Sequence, residues 1–314
     1  MIKFALIGAS GYIAPRHMAA IKECGGDLIA SLDPNDSVGI LDSFFPDAYF
    51  FIEFERFDRH IDKLRRGTNK IDYMSICSPN YLHDSHIRFA LRSGANVICE
   101  KPLVLNPWNI DGLLEAENES GNKVNTILQL RLHPAIKELH DRIRASKSDK
   151  KYDVDLTYIT SRGNWYQQSW KGDSRKSGGV ATNIGVHFFD MLHYLFGNIQ
   201  ENKVHHSEKR KVSGYLEYER ARVRWFLSID SNDLPENIIN CGQRTYRSIT
   251  VDKKEIEFSG GFTDLHTKSY QEALAGKGFG LEDNRVAIET VAKIRNLTPV
   301  KGDTQHPFLS RISE

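Results

Sequence analysis

Cysteine is scarce and unpaired in this sequence. Cys24, Cys77, Cys99 and Cys241 are its four cysteines in 314 residues, and no two of them stand in a CxxC spacing. No disulfide framework and no Cys-x-x-Cys redox or metal pair is expected, and a reducing compartment fits. Cys77 and Cys99 fall within apolar runs, where a cysteine acts as a small buried hydrophobe. An excess of one charge is lacking as well: 42 Lys and Arg stand against 41 Asp and Glu, a net charge of +1. No basic surplus points to a nucleic-acid partner, and no acidic tail points to a solvating arm. No apolar run reaches the length of a membrane span. Met1-Ile2-Lys3-Phe4 enters a strand and not a signal peptide, so a cytoplasmic protein without a membrane partner is expected. Internal repeats and low-complexity linkers are missing too. What remains is a chain long enough for two domains with real cores.

The first glycine-rich stretch sits where a nucleotide site needs it. Residues 2–7 form an apolar run that leads into Gly8-Ala9-Ser10-Gly11-Tyr12-Ile13-Ala14, and Pro15 opens a helix that ends near Cys24-Gly25-Gly26. Strand, glycine turn and helix in that order let the backbone approach a pyrophosphate seated at the positive end of the helix. The spacing is GxxGxxA, with Ser10 where the second glycine of GxGxxG falls, and a tight strand-to-helix turn uses the same residues. The next strand, 28–32, ends at Asp33, followed by Pro34-Asn35. An acid there accepts hydrogen bonds from ribose hydroxyls and repels a 2′-phosphate, which favours NAD over NADP.

Strands and helices then alternate. Strands are expected over 49–52, 71–77, 96–100 and 124–130, and helices over 58–66, 83–93 and 107–120. This βαβ alternation predicts an α/β fold with a Rossmann-type doubly wound parallel sheet, over residues 1–123. Two polar clusters end its strands: Ser78-Pro79-Asn80 and Glu100-Lys101-Pro102. Ligands of such sheets collect at the carboxyl ends of the strands. Pro102 biases Lys101 toward extended backbone, so the lysine is aimed at that edge.

After Pro134 the pattern changes, and a second domain is expected over 124–314. A helix to about residue 145 precedes an alternating strand, 152–161. The polar loop 162–179 carries Arg162, Trp165, Tyr166, Lys171, Arg175 and Lys176. Long loops of this composition are functional or flexible. Their aromatics suit a base or sugar, and their cations a pyrophosphate or carboxylate. Residues 180–196 read as a helix with Asn183 and His187 on one face. His187, Asp190 and His193 follow each other by three, which spreads them around the helix, and no Cys or His cluster completes a shell, so no metal is expected. Strands over 214–216, 220–229, 238–241, 246–251 and 255–258 predict a C-terminal α+β domain with an open, mainly antiparallel sheet. His205-His206 reads as solvated. Helices are expected over 265–274 and 282–295, and Tyr270 reads as a substrate contact or as core.

Taken together, these residues resemble the Gfo/Idh/MocA family of sugar oxidoreductases. The glycine turn, Asp33, Ser78-Pro79-Asn80 with His83 downstream, and Glu100-Lys101-Pro102 occur in that family's order. The family's second domain carries Gly-Gly-x-x-x-Asp-x-Gly-x-His, and Gly178-Gly179-Val180-Ala181-Thr182-Asn183-Ile184-Gly185-Val186-His187 matches it except for Asn183 in place of Asp. The resemblance implies an NAD site built from Gly8, Ser10, Gly11, Tyr12, Ile13, Asp33, Asn35, Ser78, Pro79, Asn80, His83, Glu100, Lys101 and Gln129. It implies a substrate site with Lys101, Arg131, Arg162, Trp165, Tyr166, Lys171, Asn183 and His187, in which Lys101 and His187 are catalytic. Arg162-Gly163-Asn164-Trp165-Tyr166, the Ser169–Gly179 stretch and Leu128-Gln129-Leu130-Arg131-Leu132-His133-Pro134 resemble the WlbA/WbpB branch. That branch oxidises C3 of UDP-N-acetyl-glucosaminuronic acid with NAD in O-antigen (lipopolysaccharide) sugar biosynthesis, and some members recycle the cofactor with 2-oxoglutarate. A homotetramer is implied as well. Another NAD(P)-dependent sugar or inositol dehydrogenase, or a non-catalytic NAD-dependent sensor, remains the alternative.

Overall fold

The computed structural model describes residues 1–146, 150–256 and 264–312. The chain divides into two compact units, Met1–Gln129 with Thr263–Arg285, and Leu130–Phe262 with Val286–Glu314. The division expected at residue 123 therefore moves, and the second half of the chain gives a segment back to the first unit.

Unit 1 is a six-stranded parallel sheet in the order β3-β2-β1-β4-β5-β6. Its strands are β1 (Lys3–Ile7), β2 (Asp27–Leu32), β3 (Tyr49–Phe51), β4 (Tyr73–Ile76), β5 (Asn96–Cys99) and β6 (Val124–Thr126). Apolar runs such as Phe4-Ala5-Leu6-Ile7 and Val97-Ile98-Cys99 are wholly buried, which is what a sheet covered on both faces demands. The register explains where the polar clusters fall. Ile7 pairs with Leu32 and Ile76, Ile76 with Cys99, and Cys99 with Thr126. The residues that follow, Gly8, Asp33, Cys77, Glu100 and Ile127, therefore form one row at the carboxyl edge. The run expected as a strand to residue 130 stops at Thr126, and Gln129–Leu132 is a 3₁₀ turn. The returning helix Leu265–Leu274 packs on the helix Ala14–Glu23. Its Tyr270 is fully buried beside Phe4, which decides for core at that position.

Unit 2 has a second six-stranded sheet, in the order β12-β11-β7-β10-β9-β8. The strands are β7 (Tyr152–Thr160), β8 (Ile199–Ser207), β9 (Lys211–Tyr218), β10 (Ala221–Ser228), β11 (Thr245–Val251) and β12 (Lys254–Glu255). Only β7 and β10 run parallel; the other pairs are antiparallel. The helix Gly179–Phe196 packs on this sheet, with Phe189 edge-on to the buried Trp225 at 5.3 Å. Gly185 permits the approach, since a Cβ there would meet Leu227 at 2.5 Å.

Three expectations are corrected here. Residues 236–240 are a helix and not a strand; Pro235 sets the entry, as proline does at a first turn. The 162–179 stretch is no open flap but three short helical turns, Asn164–Gln168, Trp170–Gly172 and Ser174–Ser177. Ser169 and Asp173 cap the last two by accepting from the amides of Lys171 and Arg175, the local competition that makes such residues good caps. His205 is buried, its ring nitrogens 2.7 Å from the Val300 carbonyl and 2.9 Å from the Thr304 hydroxyl. Of the strand expected over 255–258, residue 255 ends β12, and 257 and 258 lie outside the described residues.

Candidate active site

The carboxyl edge of the first sheet is built around a close approach. Gly8 has φ +95°, and a Cβ on it would lie 2.6 Å from the Cys77 carbonyl carbon. Only glycine fits where β1 ends against β4. The turn continues through Ser10, Gly11, Tyr12 and Ile13 into the helix Ala14–Glu23, and Tyr12 is 90% exposed at its tip. Asp33 closes this turn. Its Oδ2 accepts from the Ser10 amide at 3.0 Å, and its Oδ1 from the Asn35 amide at 2.9 Å. A carboxylate has about four acceptor positions, so each oxygen retains capacity for a ribose hydroxyl. A turn with glycine at positions 8 and 11, a helix start and an acid at the second strand end together fit a dinucleotide.

The other strand ends are tied to each other. The ring nitrogens of His83 lie 2.8 Å from the Ser78 carbonyl and 2.7 Å from that of Pro102, so this buried residue straps the Ser78-Pro79-Asn80 turn to the Glu100-Lys101-Pro102 turn. Ser78 Oγ bonds His86 Nδ1 at 2.8 Å, and burial pushes the His86 pKa down to about 4. Asn80 is buried, in the 3₁₀ turn that Pro79 opens.

Glu100 is the centre of a network that sequence reasoning did not assemble. Its Oε1 accepts from His17 Nε2 and from His266 Nε2, each at 2.9 Å, and its Oε2 accepts from the Lys101 amide at 3.2 Å. His17 Nδ1 lies 2.7 Å from the Tyr270 hydroxyl, which lies 2.6 Å from Ser75 Oγ. Burial alone would raise the Glu100 pKa, but the hydrogen bonds from the two imidazoles hold it well below the usual carboxylate range. Burial lowers the pKa of His17. His17, Glu100 and His266 are also, among the described residues, the group of ligating side chains close enough to bind a metal, with ligand atoms within 4.8 Å of each other.

Unit 2 carries the expected residues from Arg131 onward. His187 and Asn183 share a face of the helix Gly179–Phe196, and the Asn183 amide donates to the Tyr166 hydroxyl. Tyr166 is buried; Trp165 beside it is 54% exposed. Lys171 sits 4.0 Å over the Trp170 ring. A cavity of about 370 Å³ opens beside the helix start, with Tyr166, Lys171, Arg175, Gly178, Lys209 and Arg295 among its walls. Burial lowers the Arg295 pKa. Arg131 departs from expectation. Its Nε and Nη2 donate to both oxygens of Asp190, at 3.0 and 2.7 Å, and both residues are buried. The planar fork expected to meet a ligand is engaged inside the protein. Arg162 differs: its Nε is buried with no hydrogen-bond partner among the described residues.

Two family models match. One, described as the oxidoreductase family, NAD-binding Rossmann fold, covers residues 2–127; the other, the oxidoreductase family, C-terminal alpha/beta domain, covers 150–245. The chain belongs to the Gfo/Idh/MocA family of oxidoreductases, with an NAD-binding Rossmann unit at its N-terminus. It is 53% identical to a WlbA (WbpB) dehydrogenase from Thermus thermophilus, solved in complex with NAD and alpha-ketoglutarate, with a TM-score of 0.94 over 98% of this chain and 100% of that one. A second structure of a Thermus thermophilus WlbA (WbpB) dehydrogenase, with NAD and UDP-GlcNAcA, matches at 52% identity with the same TM-score and coverage. Among curated proteins, the putative oxidoreductase YteT of Bacillus subtilis is 27% identical over 159 residues, half of this chain and 36% of its own length. The chain spans about a third to a half of the length of the first curated relatives it matches.

Proposed function

We propose that this chain is an NAD-dependent dehydrogenase that oxidises the C3 hydroxyl of UDP-N-acetyl-glucosaminuronic acid to the ketone. The observation that carries this reading is the 53% and 52% identity, over essentially the whole of both chains, to dehydrogenases solved with NAD, the second of them also with UDP-GlcNAcA. The chain also has the two side chains that this reading needs, a lysine at 101 and a histidine at 187.

The bound nicotinamide supplies the hydride acceptor. The chain must handle the proton of the reacting hydroxyl. His187 is assigned as the base, because an imidazole's ordinary pKa lies near neutrality. Lys101 hydrogen-bonds the same oxygen and stabilises the negative charge that develops on it. Asn183 is neutral and orients substrate, where the family's usual aspartate would add a charge. The cations around the unit 2 cavity, Lys171, Arg175 and Arg295 among them, are suited to a diphosphate. With the Arg131 fork engaged by Asp190, the substrate carboxylate is assigned to Arg162. A cytoplasmic homotetramer completes the reading.

The experiment compares kcat/KM for UDP-N-acetyl-glucosaminuronic acid and UDP-N-acetylglucosamine, followed by NADH absorbance, in the wild type and in Arg162→Met. A site built to pair a carboxylate leaves its cation unpaired with the neutral sugar. The acid should be preferred by a factor on the order of 10² or more, and Arg162→Met should erase most of that preference. Equal values in the wild type would remove this substrate; a preference that survives in the variant would remove Arg162.

A further inference from the structure

Glu100, the residue that precedes Lys101, is a buried carboxylate whose side-chain partners are two imidazoles. Its carboxylate bonds are those from His17 Nε2, His266 Nε2 and the Lys101 amide. A carboxylate only accepts, so each ring nitrogen 2.9 Å away carries its hydrogen. That fixes the rest of the chain. With hydrogen on Nε2, the neutral ring of His17 accepts at Nδ1, so Tyr270 donates to it, and the Tyr270 oxygen accepts from Ser75. Every donor in this network meets one acceptor. A metal reading of the same three side chains needs the Nε2 lone pairs, which the hydrogens occupy.

We propose that His17 and His266, themselves oriented by the network that includes Tyr270, are positioning residues that hold Glu100 ionised and thereby fix the backbone of Lys101. This rests on Lys101 being the residue that meets the reacting oxygen. The other titratable groups that face Glu100 are Cys77 and Cys99 at the neighbouring strand ends, Tyr270, and His83 of the helix that follows β4. Burial raises the thiols and the phenol, so none of those three competes for the charge. The two imidazole bonds thus decide the state of the carboxylate against its burial. With one removed, the desolvation that opposes the charge is less well countered, and the Glu100 pKa rises. A protonated Glu100 turns an acceptor into a donor, and the Lys101 amide loses its anchor.

The test uses the full-length NAD-bound enzyme. Infrared spectra across pH should show Glu100 as a carboxylate throughout the assay range, with a difference band identified by Glu100→Gln. His17→Phe should gain an acid limb in kcat, falling about tenfold per pH unit below the new pKa, with NAD affinity unchanged and a protonated carboxyl band appearing over the same pH interval. His17→Gln, whose amide nitrogen can donate where Nε2 does, should restore the wild-type profile. A His17→Phe enzyme that binds NAD and keeps the wild-type pH profile overturns the proposal. Should that variant not fold, nitrogen NMR of the wild type decides: His17 with its hydrogen on Nδ1, or a stoichiometric divalent metal in the purified protein, overturns it equally. The infrared and NMR readouts do not depend on Lys101 being catalytic, so failure here and failure of the dehydrogenase reading are separable.

Discussion

Arg131 and Asp190 face each other as a two-point ion pair in unit 2, with Nε–Oδ2 at 3.0 Å and Nη2–Oδ1 at 2.7 Å, and side-chain exposures of 9% and 2%. The arginine also lies 5.6 Å from the centre of the Tyr194 ring, which His140 stacks against at 4.1 Å. Removing one partner of a buried pair strands the other charge, at a cost of about 3–5 kcal/mol. Arg131→Met and Asp190→Leu should each destabilise the protein by that amount in urea unfolding. The double substitution should recover a large part of it, because no buried charge is then left alone. A single variant of wild-type stability but with a raised KM for the sugar would return Arg131 to the substrate site.

Asp33 offers the next test. Its two oxygens already accept from the Ser10 and Asn35 amides, so the carboxylate both shapes the glycine turn and marks the ribose position. NAD should bind more tightly than NADP in the wild type, since a 2′-phosphate would meet a fixed negative charge. Asp33→Ala should weaken NAD and narrow the preference. Titration of both cofactors by fluorescence measures this, and equal wild-type affinities would exclude Asp33 as the discriminator.

How much of this was legible in the sequence depends on how local each signal is. The carboxyl-edge row was readable because each strand ends in its own polar cluster, and parallel pairing aligns those ends without help from distant residues. Asn183 and His187 were readable as one helix face for the same reason. His17 and His266 were not, since each is a lone histidine on an amphipathic helix, 83 and 166 residues from Glu100. Only the return of the helix Leu265–Leu274 to unit 1 brings them together. The charge pairing of Arg131 was equally hidden, its partner lying 59 residues on. The misread strand at 238–241 rested on a very short apolar stretch, Ile238-Ile239, for which periodicity cannot separate strand from helix.

Lys101 and His187 carry the chemistry in the proposed reaction. Lys101→Met and His187→Asn should each lower kcat by a factor on the order of 10² or more, the usual effect of losing acid–base or electrostatic catalysis. NAD affinity should persist, since neither residue belongs to the glycine turn. Rates near that of the wild type in both variants would remove the pair from the reaction.

Stability should depend on pH in one direction. Burial holds His86 down to about 4 and lowers His17 as well, so the unfolded chain binds more protons than the folded one below the ordinary histidine value near 6.5. Stability then rises with pH through the window from about 4 to 6.5 and levels off above it. Glu100, held low by its two imidazole bonds, contributes fully above the ordinary carboxylate range and is lost only as pH falls through its folded value, further to the acid side. The urea midpoint should be flat from about pH 6.5 to 8, below the ordinary thiol range, and decline steadily below pH 6.5. His86→Phe, which keeps an aromatic ring beside Phe54, should shallow that decline by up to one proton's slope. A midpoint independent of pH between 4 and 7 would contradict these shifts.

A dehydrogenase that keeps its cofactor bound needs a second substrate to reoxidise it. A Thermus thermophilus relative at 53% identity was solved with NAD and alpha-ketoglutarate together. A 2-keto acid presents to Lys101 and His187 the same pattern as the ketosugar product, a carbonyl to be protonated on oxygen as its carbon takes hydride. The reverse of the sugar reaction then converts 2-oxoglutarate and the reduced cofactor to 2-hydroxyglutarate and NAD, with the proton drawn from the same base that accepted it. Oxidation of a secondary alcohol by NAD is unfavourable near neutral pH, so a coupled reduction would pull it forward without release of the cofactor. Purified enzyme should carry bound nicotinamide, and sugar turnover should rise on adding 2-oxoglutarate, with one 2-hydroxyglutarate formed per ketosugar by mass spectrometry. Lys101→Met should suppress both half-reactions together. Turnover indifferent to the keto acid, with free NAD required in stoichiometric amount, would show that this enzyme treats its cofactor as a dissociable substrate.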